Sequence, residues 1–303
     1  MRLVSLLCCV CAGLLAVLAN AAPAVPAAPF GTVTLLEGSG EFLRATSRYS
    51  LEEGVKLELG DVVELADKSL LQIEFGNGSI LALGPKSRLL SFPPVAKKPA
   101  NEFFLLQGTL KVLVPKSDTE GLRFITPYLS VSIADATALI STSAEQSAVF
   151  MERGEARAKE EVGAGSGANL TLIKSGEYYS RAANEKASVT ARPPPAFIAG
   201  LPRAFRDALP ALAAKFKDVD AAPKKTADFT YADVEAWLKS TPAVRKALVP
   251  RWRSKAKDPA FRSALAANIK EHPEWDRILY PEKYLPKPKP VELPKPIELP
   301  KPN

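Results

Sequence analysis

LELGDVVELADKSLLQIEFGNGSILALGPKSRLL, running from Leu57 to Leu90, reads as short strands separated by turns. Its apolar positions are Val62, Leu70, Ile73, Phe75, Ile80, Leu81, Leu83, Leu89 and Leu90. Between them stand Gly60-Asp61, Gly76-Asn77-Gly78-Ser79 and Gly84-Pro85, residues suited to positive φ or, for proline, to a fixed φ. Apolar runs this short, closed by such signals, favour strand over helix. Leu71, Ile73 and Phe75 alternate with Gln72, Glu74 and Gly76, which predicts one buried and one water-facing side, with Asn77-Gly78 in a tight hairpin turn.

The same pattern extends both ways. Gly31 to Gly38 has strand composition, and Glu41 to Arg44 reads as its hairpin neighbour across Gly38-Ser39-Gly40. Downstream, Phe103 to Val114, Leu129 to Ile133, Ala138 to Thr142, Ala148 to Glu152, Ala156 to Lys159 and Leu170 to Lys174 continue it. Gly163 to Gly167 reads as a flexible hairpin loop, since it lacks the Lys-Ser/Thr of a phosphate cradle. Turn signals recur about every 8 to 12 residues, the spacing of an all-β sandwich or roll.

Seven pieces in order carry a family resemblance: Gly31-Thr-Val33, Leu59-Gly60-Asp61, Phe75-Gly-Asn-Gly-Ser79, Leu83-Gly-Pro-Lys-Ser87, Leu106-Gln-Gly-Thr-Leu110, Phe124-Ile-Thr-Pro127 and Glu152-Arg-Gly-Glu155. Together they resemble the FecR domain over roughly residues 30 to 190. The resemblance implies a glycine-punctuated β domain beyond the bacterial inner membrane, whose best-known members regulate sigma factors and receive a signal from an outer-membrane transporter. Those regulators carry a cytoplasmic domain ahead of their membrane span. Here nothing precedes the export signal, so direct sigma-factor control is not expected. Many members have Gly-Thr where this chain has Ala134-Asp135-Ala136-Thr137, a change expected to alter that turn.

Pro193-Pro194-Pro195 ends the β pattern, because prolines provide no ladder donors. Beyond it the helical period appears. Thr230 with Asp233 forms a capping signal before Val234, Trp237 and Leu238, while Thr241-Pro242 and Asp258-Pro259 repeat a cap followed by proline. His272-Pro273-Glu274-Trp275-Asp276 starts a last short helix, and Pro202 and Pro210 divide Phe197 to Phe216 into short helical pieces. Leu-Pro-Lys-Pro then recurs three times from Leu285 to Asn303, a composition that favours extended polyproline II and cannot form a core. The fold class is α+β and multidomain: an all-β FecR-like sandwich or roll, a small all-α module and a disordered Pro-Lys tail. The divisions are a signal peptide at 1–21, a linker at 22–29, the β domain at 30–192, a proline linker at 193–195, a basic helical module at 196–284 and the tail at 285–303.

Arg2, the apolar run Leu3 to Leu18 and Ala19-Asn20-Ala21 make an export signal, with cleavage after Ala21. As a helix the run spans only ~24 Å against a hydrocarbon core of ~30 Å, so a retained anchor is not expected. Cys8, Cys9 and Cys11 all lie within it, so the mature chain has no cysteine for disulfides, nucleophiles or thiolate sites. The expected compartment is the periplasm, with no transmembrane span after signal cleavage.

Catalytic chemistry finds little material. The one histidine, His272, cannot build a zinc site alone and is expected to cap or pack at a helix start. Glu52-Glu53 and Glu160-Glu161 are neighbours whose side chains diverge on extended backbone, so neither is an acid/base pair. No cofactor and no metal are expected. Most of the net charge of +7 falls in the helical module, where Arg245, Lys246, Arg251, Trp252, Arg253, Lys255 and Lys257 form the densest basic cluster. A solvated helix face that aids solubility is the simpler reading of that cluster. Nucleic acid conflicts with export, so a protein, an anionic polymer or a lipid surface is the expected partner class. Trp237, Trp252 and Trp275 are expected in a helical core. The sequence thus favours a non-catalytic exported binding or scaffolding protein of the cell envelope. A signalling component that relays transporter state to a separate membrane regulator is the first alternative, and a carboxylate-dependent hydrolase the second.

Overall fold

A computed structural model describes residues 29–92, 101–162 and 165–285. The expected signal peptide, most of the first linker and the Pro-Lys repeats lie outside the described residues. The first strands are β1 (Pro29–Glu37), β2 (Gly40–Arg44), β3 (Ser47–Ser50), β4 (Lys56–Glu58), β5 (Val62–Leu65), β6 (Leu70–Glu74), β7 (Ile80–Leu83) and β8 (Arg88–Ser91). The long β9 (Glu102–Val114) follows. After it come β10 (Leu122–Ile125), β11 (Leu129–Ile133), β12 (Ala136–Thr142), β13 (Gln146–Arg153), β14 (Glu155–Val162), β15 (Gly165–Lys174), β16 (Tyr178–Ala182) and β17 (Ser188–Thr190).

These strands form two sheets that share β9. Its first half pairs with β8 and runs parallel to β10, while its second half pairs with β7 and β12. The first sheet has the order β4-β1-β6-β7-β9-β12-β13-β16-β17. The second runs β3-β2-β5-β8-β9-β10-β11-β14-β15. Their inner faces close one core, in which Val33, Leu71, Ile73, Leu81 and Val112 of the first sheet meet Phe42, Val63, Leu89, Phe103 and Phe124 of the second.

The change of sheet occurs at Gly108. Its φ of +104° lies in the region that glycine alone enters freely, and the ladder between β8 and β9 slips beside it. Ser87 bridges the break: its Oγ donates to the Thr109 carbonyl at 3.0 Å and accepts from the Thr109 amide at 3.1 Å. Asp135 adopts φ +44° in the turn between β11 and β12.

Beyond β17 the chain wraps the sandwich. Residues 195–216, containing α1 (Pro195–Gly200), cross the outside of the first sheet, where Leu201 and Phe205 pack on Leu70, Ala82 and Leu139. The path turns at the sheet edge, where Val55 bridges Ala221, and then adds β18 (Lys224–Asp228) to β3. That strand corrects the expectation of purely helical structure after residue 196. Its five residues are all exposed, and β3 offered a free edge whose backbone groups it satisfies.

Next come α2 (Tyr231–Leu238), α3 (Pro242–Trp252), α4 (Pro259–Ala267) and α5 (Asp276–Leu279). The capping box of Thr230 and Asp233 is formed, and Asp258 accepts from the amides of Ala260 and Phe261. Trp237, Trp252 and Trp275 fill a second core with Leu43, Val62, Leu90 and Phe104 from the outer face of the second sheet. Trp237 Nε1 donates to Glu64 at 2.6 Å, tying helix to strand.

Two further readings change. Gln72 and Glu74, expected to face water, are 1% and 6% exposed because the crossing segment covers them. Gly165 to Gly167, expected in a flexible loop, belong to β15, where Gly165 and Ser166 pair with Val162 and Glu161 of β14. No helix among the described residues is long and apolar enough to cross a membrane.

A Cβ at Gly108 would overlap Ser87 Oγ and lie 2.5 Å from Ser87 Cα, whereas one at Gly76 meets nothing within 4 Å. Gly108→Ala is therefore expected to cost roughly 3 kcal/mol or more, combining backbone strain and overlap. Gly76→Ala should stay within about 0.5 kcal/mol. Denaturant unfolding of the two variants checks both; equal midpoints would show that β9 does not depend on that turn.

Candidate functional site

The helices cover the outer face of the second sheet over β2, β5, β8 and part of β9, and reach Ile125 on β10. Beyond it that face is open along Arg123, Ser132, Arg157 and Leu172 of β10, β11, β14 and β15, while Ser130 is buried. The register aligns Glu102, Arg123, Ser132, Arg157 and Leu172 in one row across five strands. A second row sets Ile125, Ser130, Lys159 and Leu170 beside it. Inward, Ala156, Ala158 and Ile173 fill the core, which obliges the alternating Arg157, Lys159, Leu170 and Leu172 to point outward. Leu170 and Leu172 are 55% and 44% exposed. A groove of about 490 Å³ lies along the first row, lined by Glu102, Arg123, Ser132, Arg157 and Leu172 among others.

The charges on this face differ in their commitments. Arg123 pairs with Glu102 at 3.4 Å, reaches Glu161 at 4.0 Å and donates to Ser130 Oγ. Arg157 and Lys159 have no ion-pair partner among the described residues. On its far side β15 pairs with no described strand, so its backbone groups there are open to an added strand. Together these features offer apolar contact, two free cations and an unpaired edge.

The basic cluster expected from the sequence separates into two groups. Trp252 is buried against Phe229, with ring centroids 5.0 Å apart. Lys255 is also buried, paired with Asp258 at 3.0 Å and set over the rings of Phe229 and Phe261. Arg245 forms a pair with Glu274 at 2.7 Å. Arg251 lies over the turn at Gly60, where a Cβ would overlap its guanidinium, and beside Asp61 and Glu58. Burial lowers the Arg251 pKa against the pull of those carboxylates. Four of the seven residues thus hold the helices together or onto the sheet. Lys246, Arg253 and Lys257 are the exposed remainder.

Comparison with known proteins gives a family for the strands that build this face. Residues 61–157 match the family FecR protein. Over that stretch, about a third of its length, the chain is similar to the FecR family. Two crystal structures of a proposed anti-sigma factor from Parabacteroides distasonis are similar to this chain, each at 10% identity and a TM-score of 0.37. The likeness covers 43% of this chain and 59% of that one, so the chain spans about three fifths of the length of that structure. No curated protein matches.

The FecR match runs from the start of β5 into β14, so it contributes four of the five residues in the first row and leaves Leu172 outside it. None of Arg157, Lys159, Leu170 or Leu172 stood out in the sequence. The available signal was the alternation of Ala156 and Ala158 with Arg157 and Lys159, small residues inward and cations outward. Which strands adjoin it is a matter of register.

Several carboxylates of the sandwich are engaged within the fold. Burial raises the pKa of Asp61, against the opposing bond from Arg44 at 2.6 Å. Burial likewise raises that of Glu64, which accepts from Trp237. The adjacent pairs diverge as expected: Glu52 binds Lys224 and Glu53 the Leu36 amide, while Glu160 binds Arg181 and Glu161 approaches Arg123. Among the described residues no three His, Cys, Asp or Glu side chains group to hold a metal ion.

His272 is fully buried beside Tyr231, whose hydroxyl lies 3.2 Å from Nε2. Burial lowers its pKa, with Arg245 and Lys239 acting in the same direction and Glu274 opposing. The folded state therefore holds imidazole neutral while the unfolded chain takes up a proton as pH falls through the ordinary imidazole range. Stability from this group is present above that range and lost below it. The expected result is that wild type loses more stability than His272→Gln between pH 8 and pH 5.5 in thermal melts; parallel curves would count against it.

Proposed function

We propose that this chain is a non-catalytic, exported binding or scaffolding protein of the bacterial cell envelope, and that its FecR-like β part engages a protein partner through the open face of the second sheet. One observation carries the reading. The chain's own segments occupy the outer face of the first sheet and half of the second, whereas Arg157, Leu170 and Leu172 stay exposed, and Lys159 half-buried, beside an unpaired strand edge.

Adjacent exposed leucines favour a protein with apolar side chains at its contact, and the two cations favour carboxylates flanking them. The face also bears Glu102, Glu120 and Glu155, which would repel a uniformly anionic polymer. Lys246, Arg253 and Lys257 supply a second, salt-sensitive contact for an anionic polymer or lipid headgroups. Two modest contacts reinforce one another when both reach the same assembly.

The FecR match supports a second reading, in which the open face relays the state of a transporter to a separate membrane regulator. Both readings place the partner on the same strands. They differ in whether the captured protein has its own membrane span.

A photocrosslinking residue at position 172, and another at 253, tests the assignment in intact cells with mass spectrometry of the products. Position 172 is expected to capture a discrete protein, and Arg157→Glu with Lys159→Glu to remove that product. The exchanged side chains are on the surface, so stability should change by no more than about 0.5 kcal/mol each. Capture from 253 alone would move the interface to the helices.

A further inference from the structure

The segment crossing the first sheet is held in an unusual way, on the opposite side of the sandwich from the open face. Tyr178, Phe150, Leu139, Lys111, Ala82 and Gln72 are successive cross-strand neighbours on β16, β13, β12, β9, β7 and β6. The segment follows this row. Phe197 packs edge-on to Tyr178 at 5.0 Å, and Phe205 is fully buried in the middle.

Side chains of the sheet bind the segment through its main chain. Lys111 Nζ donates to the carbonyls of Phe205 and Asp207, both at 2.9 Å, while Glu152 balances its charge at 2.8 Å. Gln72 Nε2 donates to the Pro210 carbonyl at 2.8 Å. Glu74 accepts from the amides of Leu212 and Ala213 at 2.7 and 2.9 Å. Five main-chain groups are thus read without reference to the side chains that flank them.

Two contrasts separate this contact from the one beneath the helices. Between residues 195 and 216 only Leu201 and Phe205 are buried, and few buried apolar contacts mean a low free energy of opening. The sheet surface it would uncover mixes a small apolar patch of Leu70, Ala82 and Leu139 with Gln72, Glu74, Lys111 and Glu152, which water can solvate. Opening the helices would instead expose Leu43, Val62, Leu90 and Phe104.

We propose that the outer face of the first sheet is a peptide-binding groove, occupied in cis by residues 197–213. Its ligand in trans is a peptide from a partner protein that takes up the same short helical turns and extended links, with one aromatic side chain for the Phe205 position and main-chain groups for Lys111, Gln72 and Glu74. The tethered segment is a competitor at high local concentration and sets the affinity a partner must exceed.

A fluorescent peptide of residues 196–214 is the probe, added to the full chain and to the full chain carrying Phe205→Ala. The expected result is binding to Phe205→Ala at least ~10-fold tighter than to wild type, because the variant weakens the tethered competitor. Lys111→Met in that background should remove the gain, and a probe peptide carrying Phe205→Asp should not bind. Hydrogen exchange on Phe205→Ala should show Leu212 and Ala213 amides freed while β12 stays protected.

Failure of the peptide to bind a chain whose segment is freed and whose β12 is protected overturns the proposal. So does persistent protection of residues 212 and 213, or loss of β12 protection together with theirs, since either makes the segment an integral layer of the fold. Binding that survives both Lys111→Met and the altered peptide overturns it as well, by locating the peptide elsewhere.

Discussion

Everything in this protein depends on β9 belonging to two sheets. A strand that pairs with β8 and β10 in one half and with β7 and β12 in the other fixes the angle between the sheets and hence the shape of the core. Gly108 permits the bend, and Ser87 satisfies the backbone groups left by the slipped ladder. Hydrogen-bonding groups buried without such a partner would be costly. The apolar side chains on either side of Gly108, Leu105 and Leu110, then point into the same core from different sheets.

Short apolar runs, glycine turns and helix caps were legible in the sequence because each is a local property. The β character of the first two thirds, the capping box at Thr230 and the burial of all three tryptophans follow from that local chemistry. What the local pattern could not reveal was how many faces each strand buries. Val62-Val63, Leu89-Leu90 and Phe103-Phe104 are consecutive apolar pairs, and one member of each faces the inner core while the other meets the helices. Such pairs mark strands covered on both sides. Gln72 and Glu74 show the converse, polar residues buried because another part of the chain supplies backbone partners.

The candidate interface was hidden for a related reason. Charge density along the sequence pointed to residues 245–257, but a cation near many apolar residues is as readily a structural anchor as a contact surface. Arg245, Arg251 and Lys255 found carboxylates or aromatic rings within the fold. Arg157 and Lys159 look ordinary in sequence, and their significance comes from neighbours on β11 and β15 that register alone assigns. The FecR match identifies the strands but not which of their faces is left bare.

The wrapping path also bears on the order in which the molecule assembles. Ser47 bonds to Asp228, Arg48 to Asp233 and Glu64 to Trp237, pairs separated by 181, 185 and 173 residues. Contacts so distant close only after nearly all of the chain is available, and closure at long range slows folding. Until then Leu43, Val62, Leu90 and Phe104 lie uncovered on a sheet that has already formed, next to the bare edge of β3. A chain emerging from its amino terminus therefore passes through a stage with a complete inner core and an adhesive exterior. The last third to be made is what renders the first third soluble.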